Sequence, residues 1–287
     1  MTVLNDSPER LFQRAQSRVH RDDFRDTACW VYSGSSKRVL LIHGFRGDHH
    51  GLQALAGALP DYEITIPDLP GFGKSGPLPT HDLDSYGSWL VKFHSDTGPY
   101  DLVVGHSFGT LVVANAMSKS LDQRLVCLIN PISTRASNCH DAANRIARLF
   151  YRFGENRFIG DWLLRSGLIT RAMSIGLSKS KSLRTRRFVH DQHAKYFSGF
   201  HDTKSVTEGF LAASSGSVFD YTQNLTSLTL LIAGEKDSVA PIAAQHQFCA
   251  SLQNAELEII PGVGHLTHYE KPVEVASRIA DFLGGNS

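Results

Sequence analysis

Short runs of consecutive apolar residues recur along this chain, and segments with helical periodicity separate them. Continuous runs of Leu and β-branched residues bounded by Gly or Pro are typical of strands buried on both faces, as in a parallel sheet. Two stretches near the start, around Val19 and at Cys29–Tyr32, are predicted as outer strands. Six buried strands are predicted at 39–42, 62–66, 102–104, 125–129, 228–232 and 257–260.

Helical patterns follow the first two buried strands. A stripe beginning at Leu52 follows the first, and a stripe beginning at Leu83 follows the second, where Thr80 is predicted to start the helix. The last helix is predicted to begin at Pro272 and to stop at Gly284 and Gly285. Strands that alternate with helices in this way predict an α/β sheet with helices on both faces.

One long segment, 132–225, has no convincing buried strand. We predict that it is a helical lid, or cap, inserted into an α/β core formed by residues 1–131 and 226–287. An ordinary helical subdomain is the alternative, but insertions of this length between strands are usually functional. Its helical stripes contain Ile146, Leu149, Tyr151 and Phe153, followed by Ile159, Trp162 and Leu163.

Composition and charge exclude several classes of protein. The 287 residues are 41% hydrophobic, with 29 Lys and Arg against 28 Asp and Glu. The whole chain therefore has no field favouring nucleic acid or an anionic membrane, and a small-molecule substrate is expected as the partner. The first 18 residues lack an apolar signal segment, which predicts a cytoplasmic location. The oligomeric state is left open.

Cysteine and histidine spacing predicts neither a disulfide framework nor a metal site. The four cysteines are scattered singly, and His190 with His193 form only a lone H-x-x-H, for which a solvated helical face is the alternative. We therefore predict no metal site. The cysteines are Cys29, Cys127, Cys139 and Cys249.

A G-x-S-x-G motif directly follows one buried strand and precedes a helix of small residues. Its central residue is Ser107, between Gly105 and Gly109. A strand that enters a helix through one sharp turn holds the central residue in a strained conformation with its hydroxyl exposed, and flanking glycines avoid clashes. This context predicts that Ser107 is a nucleophile; a serine in an ordinary turn is the alternative.

The acid and the base that a serine nucleophile requires follow in the order acid, then histidine. Asp237 comes just after the predicted strand 228–232 and is the favoured acid, with Glu235 as competitor and a helix N-cap as the structural alternative. His265 lies in a Gly-rich loop after the last strand and is the favoured base. His268 is its competitor.

An acyl-transfer site also needs backbone N–H groups to bind the developing oxyanion. By position, the amides of Phe45 and Phe108 are predicted to supply them. His43, at the end of a strand, is interpreted as a structural residue that shapes this loop. Val239 and Leu266 adjoin the predicted acid and base and are candidates for the wall of an acyl pocket.

Together, five motifs resemble the α/β-hydrolase superfamily: HGF at His43, DLPGFGKS from Asp68, GHSFG around Ser107, GEKD ending at Asp237, and GVGH ending at His265. They span nearly the whole chain in the family's order. The resemblance implies an eight-stranded, mostly parallel sheet, a helical cap between the sixth and seventh strands, and no cofactor.

Three residues distinguish branches of that superfamily. Ser107 departs from the haloalkane dehalogenase and epoxide hydrolase branches, which use Asp as the nucleophile at this position. Phe108 and Thr110 depart from the G-x-S-M-G-G form frequent in C–C bond hydrolases and in the menaquinone-pathway enzyme MenH. The glycines around Gly71 imitate a nucleotide fingerprint, but Pro77 soon follows, so no helix can begin there to bind phosphate.

The lid has the one local charge bias, with about 14 Lys and Arg against about 5 Asp and Glu between Arg135 and Lys204. A solvated face is one explanation; a lid arginine that binds an anionic substrate group is the other. The sequence predicts hydrolysis of a carboxylic ester or thioester. A C–C bond hydrolase or MenH-like lyase, and a non-catalytic small-molecule receptor on the same fold, remain the alternatives.

Overall fold

In the computed structural model, the described residues are 3, 6–135, 142–156 and 159–286. Eight strands form one sheet in the order β1-β2-β4-β3-β5-β6-β7-β8. Strand β2 is antiparallel to β1 and β4, and all other neighbours are parallel, which confirms the predicted fold class. The strands are β1 Val19–Arg21, β2 Cys29–Tyr32, β3 Arg38–Ile42, β4 Glu63–Pro67, β5 Leu102–His106, β6 Leu125–Ile129, β7 Leu228–Gly234 and β8 Ala255–Ile260.

Both faces of the sheet are buried, as the continuous apolar runs predict. Along β3, Val39 and Leu41 belong to one hydrophobic cluster, and Leu40 and Ile42 belong to the other. Successive strand side chains point to opposite faces, so a run of four apolar residues fills both layers.

Helices cover both faces. One correction concerns the start of α3: its N-cap is Asp82, whose side chain accepts from the Ser85 amide at 2.7 Å, rather than Thr80. Asp accepts this bond well and its charge suits a helix N-terminus. The helices are α1 Pro8–Gln16, α2 His50–Ala58, α3 Leu83–Thr97, α4 Phe108–Lys119, α5 Ala142–Gly154, α6 Gly160–Leu164, α7 Gly167–Leu177, α8 Leu183–Tyr196, α9 Thr203–Ser215, α10 Ile242–Ser251, α11 Thr267–Glu270 and α12 Pro272–Gly285, with a 3₁₀ helix at Val218–Tyr221.

Helices α5 to α9 lie between β6 and β7, and we call them the cap. Among the described residues of 132–225, none belongs to a strand of the sheet. The cap falls where the sequence predicts an inserted lid. Its status as a separate domain stays a prediction.

Three of the four cysteines, Cys29, Cys127 and Cys249, are free thiols, and Cys139 lies outside the described residues. Burial raises the pKa of Cys29 to about 12. Within the described part of the chain, no helix combines the length and apolar character needed to cross a membrane.

Candidate active site

Ser107 sits in the tight turn between β5 and α4. Its φ of 53° and ψ of −119° lie outside the regions that side-chain-bearing residues normally adopt. Its amide donates to the Ile129 carbonyl at 3.0 Å, which ties the turn to the end of β6. The strained backbone holds the hydroxyl at the carboxyl edge of the sheet, as the sequence predicts for this motif.

The two flanking glycines are sterically required. A Cβ on Gly105 would lie 2.6 Å from the Gly109 carbonyl oxygen, and a Cβ on Gly109 would lie 2.3 Å from the Ile42 carbonyl oxygen. Neither position could accept even alanine without moving backbone. The missing side chain at Gly109 lets the turn pack against β3, and the missing side chain at Gly105 lets β5 pack against the first turn of α4.

The structure brings the predicted nucleophile, base and acid into one hydrogen-bonded chain. Ser107 Oγ and His265 Nε2 are 2.7 Å apart. His265 Nδ1 and Asp237 Oδ2 are 2.8 Å apart on the other side of the ring. The imidazole thus lies between a hydroxyl and a carboxylate, and a carboxylate at Nδ1 favours the tautomer whose Nε2 accepts a proton.

Asp237 is held by more than the imidazole. Its Oδ1 accepts from the Val239 amide at 2.8 Å and the Ala240 amide at 3.0 Å, and its Oδ2 accepts from Asn130 Nδ2 at 2.7 Å. Burial raises the pKa of Asp237, but the His265 charge and hydrogen bond and these amides outweigh it, so the net pKa is lowered. Asp237 therefore stays ionised at neutral pH.

Asn130 is a site residue that sequence reasoning missed. It is fully buried, has a φ of 49°, and follows the carboxyl end of β6. Its available signal was a polar side chain after a buried strand, at the edge where parallel sheets carry their ligands.

The competing acid and base lie elsewhere. Glu235 accepts from the Gly262 amide at 2.8 Å, on the protein surface. The His268 ring packs against the His106 ring with 3.8 Å between centroids. Helix α10 has Pro241 as its N-cap, so Asp237 does not cap that helix.

The loop after β3 approaches Ser107 closely. A Cβ on Gly44 would lie 3.2 Å from the Ser107 Cβ, which brings the neighbouring Phe45 backbone beside the nucleophile. Phe108 is the first residue of α4, where helix amides have no intrahelical acceptor. His43 shapes the loop: its Nε2 accepts from the Leu69 amide at 2.8 Å, and burial lowers its pKa.

A cavity of about 160 Å³ opens beside Ser107. Both predicted pocket residues, Val239 and Leu266, line it, and cap residues Met173 and Leu177 on α7 close another side. Within the described part of the chain, no Lys or Arg lines this cavity, so the described cap arginines lie elsewhere.

Polar atoms accompany these apolar walls. Gln192 Oε1, His193 Nδ1 and His268 Nδ1 are buried without a hydrogen-bond partner, and all three residues line the cavity. Burial lowers the pKa of His193 to about 4, so this ring is neutral at pH 7. The cavity therefore combines apolar surface with neutral hydrogen-bonding groups.

One cluster in the described residues, Asp48, His49 and His50, has the composition of a metal site, with ligand atoms within 4.8 Å of one another. Its side chains have other partners: His49 Nδ1 is 2.9 Å from Asp68 Oδ1, and His50 Nδ1 is 3.1 Å from Asp48 Oδ1. We assign no metal to it. His190 Nδ1 likewise meets Ser174 Oγ at 2.7 Å.

Comparisons with known proteins identify a family for this chain. The model of the "Alpha/beta hydrolase family" matches residues 39–278. The uncharacterized hydrolase YugF of Bacillus subtilis is 24% identical over 260 residues, which cover 88% of this chain and 92% of that protein. The 2-succinyl-6-hydroxy-2,4-cyclohexadiene-1-carboxylate synthase of Escherichia coli is 23% identical over 252 residues, which cover 85% of this chain and 93% of that protein.

Among solved structures, a thermophilic esterase from Thermogutta terrifontis superposes with a TM-score of 0.73 at 22% identity, covering 93% of this chain and 98% of that one. Because its identity is low, this likeness supports the fold alone. The family match spans most of the chain and includes every residue of the hydrogen-bonded chain at the sheet edge. The protein belongs to the alpha/beta hydrolase family.

Proposed function

We propose that this protein cleaves a carboxylic ester or thioester through an acyl-enzyme. Ser107 would be the nucleophile, His265 the general base and Asp237 the acid that orients it. The observation that carries this proposal is the continuous chain from Ser107 Oγ through His265 to Asp237, with spacings of 2.7 and 2.8 Å. Such spacing meets the geometric requirement for a base that activates a hydroxyl.

In the first step, His265 Nε2 takes the Ser107 hydroxyl proton as Oγ attacks the substrate carbonyl. The tetrahedral oxyanion is stabilised by the Phe45 and Phe108 amides. When the bond to the leaving group breaks, His265 donates its proton to the departing alcohol or thiol. Water, deprotonated by the same imidazole, then attacks the acyl-serine and releases the carboxylic acid.

The cavity favours an uncharged acyl group. Val239 and Leu266 would form its wall, as the sequence predicts, together with Met173 and Leu177 of the cap. The described lining contains no guanidinium or ammonium group to bind an anion, whereas Asp48 contributes a carboxylate. An anionic acyl group would therefore be buried without a cationic partner, which is costly.

Similarity to the Escherichia coli synthase supports a second candidate, a C–C bond hydrolase or MenH-like lyase that uses the same three residues. A non-catalytic receptor on this fold is a weaker candidate, because it has no need for a strained serine in contact with a histidine. Product analysis separates the two enzymatic candidates: an ester gives an acid and an alcohol, whereas a lyase gives an elimination product.

The test uses p-nitrophenyl esters of graded acyl length beside acyl-CoA thioesters. Ser107→Ala should lower kcat by on the order of 10⁶-fold, while circular dichroism shows the same fold. Ser118→Ala is the matched control, because Ser118 is exposed on the same helix and only its hydroxyl bonds the Asn115 carbonyl. An active Ser107→Ala protein, or no turnover of any ester or thioester, would contradict the proposal.

A further inference from the structure

Strongly exposed, large apolar side chains are concentrated on the cap. Among the described residues, ten such side chains are exposed, and nine of them lie between residues 146 and 211. The tenth, Val239, lines the cavity. Single exposed apolar residues are ordinary, but a set confined to one region marks an interaction surface.

These side chains follow helical spacing. On α5, Ile146, Leu149 and Phe153 recur at intervals of three and four residues and are 68%, 54% and 53% exposed. On α7, Leu168 and Ile175 are seven residues apart and are 85% and 50% exposed. Residues at these intervals share one side of a helix, so each helix presents an apolar stripe to solvent.

The same helices are cationic. The described residues of α5 to α7, 142–156 and 159–177, contain 5 Arg against 2 Asp and Glu, leaving 24 basic and 26 acidic residues elsewhere in the chain. Arg145 and Arg152 are exposed on α5 beside its apolar stripe, and Arg171 is exposed on α7. Apolar stripes bearing Trp, Phe or Leu and flanked by Arg are typical of helices that lie in a lipid interface.

The positive charge of these helices also indicates which partner binds the exposed apolar face. A second copy would bring two α5–α7 faces together, each with an excess of three positive charges among the described residues, and like charges oppose that contact. An anionic lipid surface supplies both an apolar layer and negative headgroups. The near-neutral charge of the whole chain predicts no attraction to an anionic membrane, but the cap helices by themselves carry an excess of positive charge.

The position of α7 links this face to the active-site cavity. Met173 and Leu177 line the cavity, while Leu168 and Ile175 on the same helix face solvent. Glu270 joins the segment after α7 to the His265 loop: its carboxylate accepts from the Lys179 amide at 2.7 Å and the Gly264 amide at 3.1 Å. A lipid surface bound by the cap would lie next to the cavity.

We propose that the cap, through the exposed faces of α5 to α7, docks peripherally on an anionic lipid bilayer, and that the substrate is an ester carried by that lipid phase. The docking proposal rests only on the exposed apolar side chains and the positive charge of the cap. The substrate class rests on the proposed ester hydrolysis. Docking would deliver an apolar acyl group from the bilayer to the cavity, without passage through water.

The first experiment measures sedimentation of the full-length protein with vesicles of equal parts phosphatidylcholine and phosphatidylglycerol, and with vesicles of phosphatidylcholine alone. The protein should bind the mixed vesicles, and salt should weaken the binding. Trp162→Ser, which removes a 75% exposed side chain, should weaken it by about ten-fold. Arg152→Gln should weaken it by about five-fold, at the usual contribution of one basic residue.

Arg278→Gln is the matched control, because Arg278 carries the same charge on α12 of the core, where it pairs with Glu258. It should bind as the wild type does. Equal binding to both vesicle types, or equal loss in Arg278→Gln and Arg152→Gln, would overturn the docking proposal. A dimer that forms without lipid and is lost in Trp162→Ser would overturn it in favour of a second copy.

The second experiment compares a long-chain phospholipid ester in mixed vesicles with a short, water-soluble ester. Trp162→Ser should lower the ratio of vesicle to soluble turnover by about ten-fold. A ratio unchanged by Trp162→Ser would overturn the lipid substrate. Binding of the Ser107→Ala protein to vesicles is measured in parallel, so a failure of ester hydrolysis with intact binding contradicts the proposed function and leaves the docking supported.

Discussion

The sheet edge and the cap are built on different principles. At the edge, short motifs fix single atoms: Ser107 is strained at a φ of 53° and lies within 2.7 Å of His265. In the cap, amphipathic helices cover the edge and leave large side chains such as Trp162 and Leu168 in solvent. Atomic positions are tightly fixed where the proposed chemistry requires them, whereas the cap is defined by the pattern of apolar and polar residues on its helices.

Two buried charged side chains join these regions. Arg46, from the loop after β3, donates to the Leu164 carbonyl of the cap at 2.6 Å and to the Phe197 carbonyl at 3.3 Å. Glu270, from α11, accepts from Ser178 Oγ at 2.6 Å. These hydrogen bonds connect the cap to the loop beside Ser107 and to the loop that carries His265. Substitutions at Arg46 and Glu270 therefore test whether the cap and the sheet edge are independent of each other.

The largest effect is expected at the sheet edge. Asp237→Asn should lower kcat by roughly 10⁴-fold, because the amide no longer holds His265 in the tautomer that accepts the serine proton. Glu235→Gln is the matched control, since Glu235 contacts the Gly262 amide and not the imidazole. Steady-state kinetics on one ester measure both, and a larger loss in Glu235→Gln would reverse the assignment.

Removing the Arg46 fastening should cost stability. Arg46→Met keeps the length of the stem but leaves the buried Leu164 carbonyl and the partly buried Phe197 carbonyl without their donor, so the free energy of unfolding should fall by about 2 to 4 kcal/mol. Arg46→Lys should lose less, because an ammonium group still donates. Urea unfolding measures the change, and a loss below about 0.5 kcal/mol would show that the cap is held independently.

Breaking the Glu270 fastening should affect rate more than fold. Glu270→Gln turns an acceptor of four hydrogen bonds into a group that must donate at one end, which loosens Gly264 and the neighbouring His265. We expect kcat to fall about ten-fold with little change in KM. Glu274→Gln, at a half-exposed ion pair with Lys271, is the control. A change in KM alone would argue against positioning of His265.

A further effect is a dependence of stability on pH. Burial lowers the pKa of His106 to about 3 in the core and that of His193 to about 4 in the cap. Below pH ~6.5 the unfolded chain binds protons that the folded chain excludes, so each histidine should reduce stability by about 1.4 kcal/mol per pH unit as pH falls towards its folded pKa.

His193→Phe should remove the share of this slope that His193 contributes and leave the share of His106. Chemical unfolding at about pH 7 and about pH 5 measures the slope in both proteins. Stability that is flat over this range in the wild type would contradict neutral burial of these rings. An equal slope in His193→Phe would limit the effect to the core.

The sequence predicts the sheet and its edge well because local rules govern both. Continuous apolar runs indicate doubly buried strands, and the Gly-flanked Ser107 indicates a strained turn. The contact of Asn130 with Asp237 is different, because it depends on a φ of 49° at the end of β6 and on two strands meeting in space. No local pattern encodes that distance.

In the cap, the sequence predicts the stripes but not what they face. Tyr151 is buried against the Phe210 ring, with 3.9 Å between centroids, whereas Ile146, Leu149 and Phe153 of the same predicted stripe are exposed. Periodicity defines a side of a helix, and only the tertiary arrangement decides whether that side meets protein or solvent. The sequence shows the basic charge bias of this segment, but it does not show that the described cap arginines lie away from the cavity.

The most direct test of the account is covalent labelling with a fluorophosphonate, followed by peptide mapping by mass spectrometry. Such a reagent reacts with a serine only when a base activates it. We predict stoichiometric labelling of Ser107, and labelling slowed by several orders of magnitude in Asp237→Asn. Labelling at another serine, or no labelling of the folded protein, would contradict the claim that Ser107, His265 and Asp237 act as one catalytic unit.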